Sequence, residues 1–378
     1  MKRRDFLRST GTYFAGIGLG SMLVNSKIEA KTWAKDPLDY IIVEGHRDIW
    51  EFNDRFAIRD PSQHSPLRDF LLPRLLEGGV NVVIMPAGGD SVPERGGSDY
   101  LLKGSLQVID MLLTEIDKTE GKASIIKTRN DIPANPDKNH VHFFLDLEGG
   151  GSIQIDPEPE NHPDRKLAIL RNFFRLGVRG MQLTHNGRNQ LADGINEGKM
   201  AGKLSKFGAE VVKEMNRLGM MIGVSHLSAN GIFHVAELTS KPIVSTHTNL
   251  QKFINTPRQH SDDEVKAIAG TGGIIGIRYI VNETSYELLA DEVDYLANLV
   301  GIEHIGIGWL GHDVGHPEVG HVPGYSKEPL PGEIEGQTMY EHWNQFIRIL
   351  EKRGFSEENI ALILGGNYIR IWQEVLPN

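Results

Sequence analysis

The chain has 378 residues, no cysteine and a formal net charge of −10. Disulfides, thiolate metal sites and a cysteine nucleophile are therefore excluded, so any metal must be held by His, Asp, Glu, carbonyls or water. That donor set suits zinc or another borderline or hard divalent ion. The acidic balance argues against nucleic acid, whose phosphates need clustered Lys and Arg.

Residues 1–30 stand apart from the fold. A basic start, MKRRDFLRST, precedes the apolar, glycine-rich run GTYFAGIGLGSMLV. These are the n-region and h-region of an export signal. Arg3-Arg4 with Phe6-Leu7 is similar to a twin-arginine signal, which implies passage through the twin-arginine machinery to the periplasm. Ile28-Glu29-Ala30 is a usable cleavage site, and an uncleaved membrane anchor is the other reading. Removing the net +3 of this segment from −10 leaves −13 on the mature chain, residues 31–378.

Eight apolar runs follow, separated by amphipathic stretches. They are Tyr40–Glu44, Val80–Met85, His142–Leu147, Gly180–Thr184, a run ending at His226, a run ending at His247, Gly273–Arg278 and His304–Trp309. Strands alternating with helices predict parallel βαβ units. Eight units over this length predict an α/β fold, a (β/α)8 TIM-like barrel built as a single domain with insertions. No dinucleotide glycine fingerprint follows the first strand, which counts against an open doubly wound sheet. Ser205 to Gly219 predicts one helix, with Phe207, Val211, Met215 and Leu218 on its buried face and Gly219 as its stop. Ser356 opens another, expected to close at Gly365-Gly366. Leu310 to Gln337 reads as a long loop leaving the eighth strand.

The polar residues at the strand ends carry the chemistry, because barrel active sites are built there. His46 and Asp48 lie on one side of an extended segment. Glu148, His185, His226 and His247 end the third to sixth strands. Carboxylates and imidazoles at one mouth form a plausible metal site, and a pair of divalent ions can activate water and polarise a carbonyl. His312, His316 and His321 read as a solvated loop over that site.

These motifs resemble the membrane (renal) dipeptidase family, metallopeptidase family M19, of the amidohydrolase-like barrel superfamily. The resemblance rests on Glu44-Gly45-His46-Arg47-Asp48, Glu148-Gly149-Gly150, Leu183-Thr184-His185 and Met215–Met220 with Ser225-His226. It continues through Thr246-His247-Thr248, Arg258–Asp262 and Leu364–Asn367, in collinear order over roughly residues 38–375. It implies two zinc or other divalent ions, with His46 and Asp48 on one, His226 and His247 on the other, and Glu148 between them. His185 would bind the scissile carbonyl or its oxyanion, and Arg258 the carboxylate of a dipeptide substrate. A homodimer is a further implication.

Three departures bear on function. Arg47 replaces an Asn, and Val224 replaces an Asp that could accept a hydrogen bond from behind His226. On the eighth strand the family's proton-shuttling Asp falls on Leu310, so Asp313 or His312 takes that role only if the chain bulges. The resulting expectation is an exported dinuclear zinc hydrolase cleaving dipeptides, with Asp313 and His185 as catalytic residues. Another small amide, lactam or N-acyl amino acid is the alternative substrate, and a catalytically weakened metal-containing binding protein the alternative class.

Overall fold

The computed structural model describes residues 35–47, 65–91, 100–153, 166–280, 284–310 and 338–378. Its sheet contains β1 (Ile42–Glu44), β2 (Val80–Gly89), β3 (Ala123–Ile125), β4 (Val141–Glu148), β5 (Gly180–Gln182), β6 (Met221–Gly223), β7 (Ile243–Thr248), β8 (Ile274–Arg278) and β9 (Ile305–Trp309). Every pairing is parallel, in the order β1-β2-β4-β5-β6-β7-β8-β9. The circle is bridged by Gly45 N donating to Ile307 O at 3.0 Å and His46 N to Gly308 O at 3.1 Å. The expected (β/α)8 barrel is therefore present.

Alternation along each strand divides the side chains between two cores. On β4, Val141, Phe143, Leu145 and Leu147 join the outer core under the helices, while Phe144 joins the inner one. Val82, Ile84, Met221, Val244 and Ile274 complete the inner wall. The helices that cover the outer core are α1 (Leu72–Glu77), α2 (Leu101–Asp117), α3 (Ala168–Leu176), α4 (Lys206–Leu218), α5 (Ala229–Leu238), α6 (Asp262–Gly270), α7 (Tyr286–Leu299) and α8 (Met339–Lys352). Short α9 (Glu357–Ala361) and α10 (Asn367–Val375) follow. As expected, Ser205 caps α4 by accepting from Gly208 N, and Gly219 ends it at φ 78°.

Two sequence expectations are corrected. A ninth strand, β3, was not read from the sequence. Its three residues pair with the lower half of β4, and β5 takes up the same strand only from Asp146 onward. β3 thus satisfies main-chain groups that short β5 does not reach. The helix opened by Ser356 also does not close at Gly365-Gly366. It passes through a π turn, Leu362–Gly366, into α10. Gly365 is there for proximity, since a Cβ would collide with Ile41 O on the chain entering β1.

This continuation puts a plug in the barrel. Tyr368, Ile371 and Trp372 of α10 are fully buried in the inner core at the strand starts. Trp372 stacks on Phe144 with ring centroids 4.9 Å apart. The Tyr368 hydroxyl lies 3.2 Å from Thr246 O and 3.3 Å from Ile307 O. Gly45, Gly276 and Gly306 make room for that ring, because a Cβ on any of them would strike it. With the lower end filled, the mouth at the strand ends is the place left for chemistry. No helix among the described residues is long and apolar enough to cross a membrane.

Candidate metal centre

Five side chains named from the sequence meet at that mouth. His46 follows β1, Glu148 ends β4, His185 and His226 follow β5 and β6, and His247 lies on β7. Glu148 Oε1 is the common point. It lies 3.2 Å from His226 Nε2 and 3.6 Å from the Nε2 atoms of both His46 and His247. His226 Nε2 and His247 Nε2 are 2.8 Å apart. Grouped by distance, the donors form two sets that share Glu148: His46–Glu148–His247 and Glu148–His185–His226. All are buried except His185, which is partly buried.

The far side of each imidazole is occupied. His226 Nδ1 lies 2.8 Å from Asn186 Oδ1, and His247 Nδ1 lies 2.8 Å from Thr246 Oγ1. With Nδ1 as the donor, each ring turns its Nε2 lone pair to the centre. Burial holds both imidazoles well below their ordinary pKa, helped by Arg258 beside His226 and by His46 beside His247. They are neutral at physiological pH, as metal ligands must be.

A polar layer supports the site from inside the barrel. Gln182 Nε2 donates to Asp146 Oδ2 at 3.0 Å and to Thr246 Oγ1 at 3.1 Å, and its Oε1 accepts from Ser225 N at 3.1 Å. Burial pushes Asp146 up to about 7, against the pull of the Gln182 hydrogen bond. At the rim, Asp90 joins two loops. It accepts from Gly151 N at 2.5 Å, His185 N at 3.3 Å and Asn189 Nδ2 at 2.8 Å.

Two arginines face the centre. The loop carrying Arg258 is pinned by His260, whose Nε2 lies 2.9 Å from Ser245 Oγ and whose N donates to Asn249 O at 3.0 Å. Arg258 donates to Ser225 O at 2.8 Å and His247 O at 2.9 Å, and its Nη2 lies 3.3 Å from His226 Nε2. Burial lowers its pKa, as does the nearby guanidinium of Arg278. Arg278 ends β8 and lies 5.0 Å over the Trp309 ring. That indole also packs against His46 and His247, at 5.7 and 5.5 Å between centroids. Leu310, at the position matched to the family's shuttling Asp, belongs to the outer apolar core.

Arg47, the departure beside the first ligands, forms a buried bidentate ion pair with Glu44, its Nη2 lying 2.9 Å from Oε1. The two buried charges thus neutralise each other. Asp48 and Asp313 lie outside the described residues, as do His312, His316 and His321. Sequence reasoning missed Arg278, Asn186, Asp146 and Asp90. The first three had a usable signal, since Arg278 ends a strand, Asn186 follows His185 and Asp146 shares the inward face of Glu148. Asp90 had none.

The donors fit a divalent cation. Ligand atoms about 2.0–2.2 Å from a tetrahedral ion stand roughly 3.3 Å apart. The carboxylate-to-imidazole separations of 3.2 and 3.6 Å match that edge. Lone pairs turned toward each other beside a carboxylate are also what a shared cation stabilises.

A parallel barrel with such a mouth defines a metallohydrolase. The chain belongs to the membrane dipeptidase family, peptidase family M19, whose model matches residues 38–377. It is a metallo-dipeptidase by family, with the substrate unassigned. It is 28% identical over 317 residues to Dipeptidase verJ of Clonostachys rogersoniana, covering 80% of this chain and 75% of that protein. It shares its fold with the probable dipeptidase PvdM from Pseudomonas aeruginosa, at TM-score 0.70 and 17% identity, over 89% of this chain and 95% of that one. A metallo peptidase from Rhodobacter sphaeroides liganded with a phosphinate mimic of dipeptide L-Ala-D-Ala aligns at TM-score 0.70 and 17% identity, over 89% and 99%.

Proposed function

We propose that this chain is an exported hydrolase that uses two zinc or similar divalent ions to cleave the amide bond of dipeptides. The observation that carries the reading is the convergence of three Nε2 atoms on one Glu148 oxygen, those of His226 and His247 lying 2.8 Å from each other. His46 with Asp48 would hold one ion and His226 with His247 the other, with Glu148 shared between them. When bound, such a pair lowers the pKa of a water and polarises a carbonyl. His185 hydrogen-bonds the carbonyl oxygen as it gains charge. Asp313 passes a proton to the departing amine.

The substrate's carboxylate is met by the arginines. Both terminal nitrogens of Arg258 already donate to main-chain carbonyls, so Arg278 shares this task. The Arg3-Arg4 signal supports twin-arginine export and a periplasmic site of action. A homodimer rests on the family alone. A second reading, hydrolysis of another small amide, lactam or N-acyl amino acid, is favoured by Trp309 and Arg278, which form one wall of the mouth.

Metal analysis, combined with hydrolysis of L,L- and L,D-dipeptides by wild type and Asp313→Asn, tests the proposal. The expected result is about two divalent ions per chain and turnover that falls roughly 10²–10⁴-fold in the variant. Metal-free protein, or metal-loaded protein inert to a broad dipeptide panel, overturns it. Turnover of N-acyl amino acids alone selects the second reading.

A further inference from the structure

Val224, two residues before His226, has its side chain in the outer core, so no side chain at that position stands behind the ligand. A ligand imidazole without an acceptor behind it has no preferred tautomer or ring orientation, and groups that supply one matter almost as much as the ligands. His226 does have an acceptor, from a different strand end. Asn186 Oδ1 lies 2.8 Å from its Nδ1. The other end of the same amide, Nδ2, lies 3.4 Å from His185 Nε2.

We propose that Asn186 is a positioning residue that supplies the acceptor behind His226 and joins two functional imidazoles through one amide plane. This rests on the metal reading above. Asn186 Oδ1 holds His226 as its Nδ1–H tautomer, which leaves Nε2 for the cation. Nδ2 donates to His185, so the ring that meets the substrate is oriented by the group that orients the ligand. The asymmetry of the amide, acceptor at one end and donor at the other, is what the two jobs require. A carboxylate would supply only the first.

The backbone makes this testable, because its placement does not depend on the Asn186 side chain. Asn186 O accepts from Asn196 N at 2.9 Å, and Ile195 N donates to His226 O at 3.1 Å. Thr184 Oγ1 lies 3.2 Å from the same His226 carbonyl. The loops after β5 and β6 are stitched together by these bonds.

The experiment compares wild type, Asn186→Leu and Asn186→Asp as full-length protein. Loss of zinc is titrated with a chelator and read by elemental analysis, and the visible spectrum of the Co2+-substituted protein is recorded. Asn186→Leu should weaken one metal equivalent roughly 10–100-fold and shift the Co2+ bands. Asn186→Asp should restore metal retention while kcat falls and KM stays near wild type. Wild-type chelator midpoints and spectrum in Asn186→Leu would overturn the role. If Asn186→Leu does not fold, the Asp variant decides alone, and loss of its metal sinks the proposal. Failure of the wild type to bind any divalent ion would instead remove the metal reading itself.

Discussion

At the strand starts, His140 and His142 face each other across Ser124, whose Oγ lies 2.8 Å from His140 Nε2 and 3.1 Å from His142 Nδ1. His140 Nδ1 reaches Gly121 O at 3.0 Å. At the strand ends, His226 and His247 spend their Nδ1 atoms on Asn186 and Thr246 and turn Nε2 toward Glu148. Both ends gather imidazoles. Below, the ring nitrogens of His140 are used up by a hydroxyl and a carbonyl, and what results is a strap between β3 and β4. Above, lone pairs are held back and aimed at a carboxylate. A histidine's task is therefore read from which nitrogen its neighbours leave unspent.

Removing the carboxylate should have the largest effect. Glu148→Ala takes away the donor common to both sets, so kcat/KM should fall by at least about 10³-fold, the several kcal/mol that bound metal contributes. Kinetics and metal content on one preparation would check this. Retention of the wild-type metal content would break the contrast between the ends. Next comes the plug: Trp372→Ala should cost about 3–5 kcal/mol in denaturant unfolding, yet leave the metal content of the folded fraction unchanged.

A smaller effect is expected at the rim. Arg278→Gln should raise KM roughly tenfold with little change in kcat, as removal of one charge-assisted contact to a substrate carboxylate would. Equal loss in kcat would show that Arg278 acts on the reaction rather than on binding.

The smallest effect belongs to the strap. Burial, helped by His140, holds half-buried His142 down at about 4. Unfolded, it protonates near the usual value of about 6.5. The unfolded chain therefore takes up the extra proton between these values. The contribution to stability is fully present above the upper value and declines as pH falls toward the lower one. His142→Gln should remove about 1 kcal/mol of that acid sensitivity after solvent screening, as read by melting at several pH values. Activity should be unaffected.

Much of this was legible in the sequence because β-rich runs ending in His or Glu recur at barrel spacing. Strands β4 and β7 stood out as apolar runs and helix α4 by its helical period, and the strand ends located Glu148 and His247. The strand β3 was too short to show a period. The Gly365-Gly366 pair was misread because glycine serves close approach as readily as termination. Within the site, ligand types could be read one residue at a time. Asn186 could be named as a candidate from its place beside His185, but its pairing with His226, like the hold of Arg258 on two carbonyls, depends on how separate loops meet, and no local pattern encodes that.

The late helix α10 sets an order of events during synthesis. Tyr368 and Trp372 supply the floor on which Val43, Phe144 and Met221 rest, and they emerge from the ribosome after all nine described strands have been made. A nascent chain therefore lacks a sealed base until α10 has been made, and long-range closure of this kind is slow and exposes apolar surface meanwhile. Firm capture of metal by the upper rim should accordingly wait until α10 has docked against the strands.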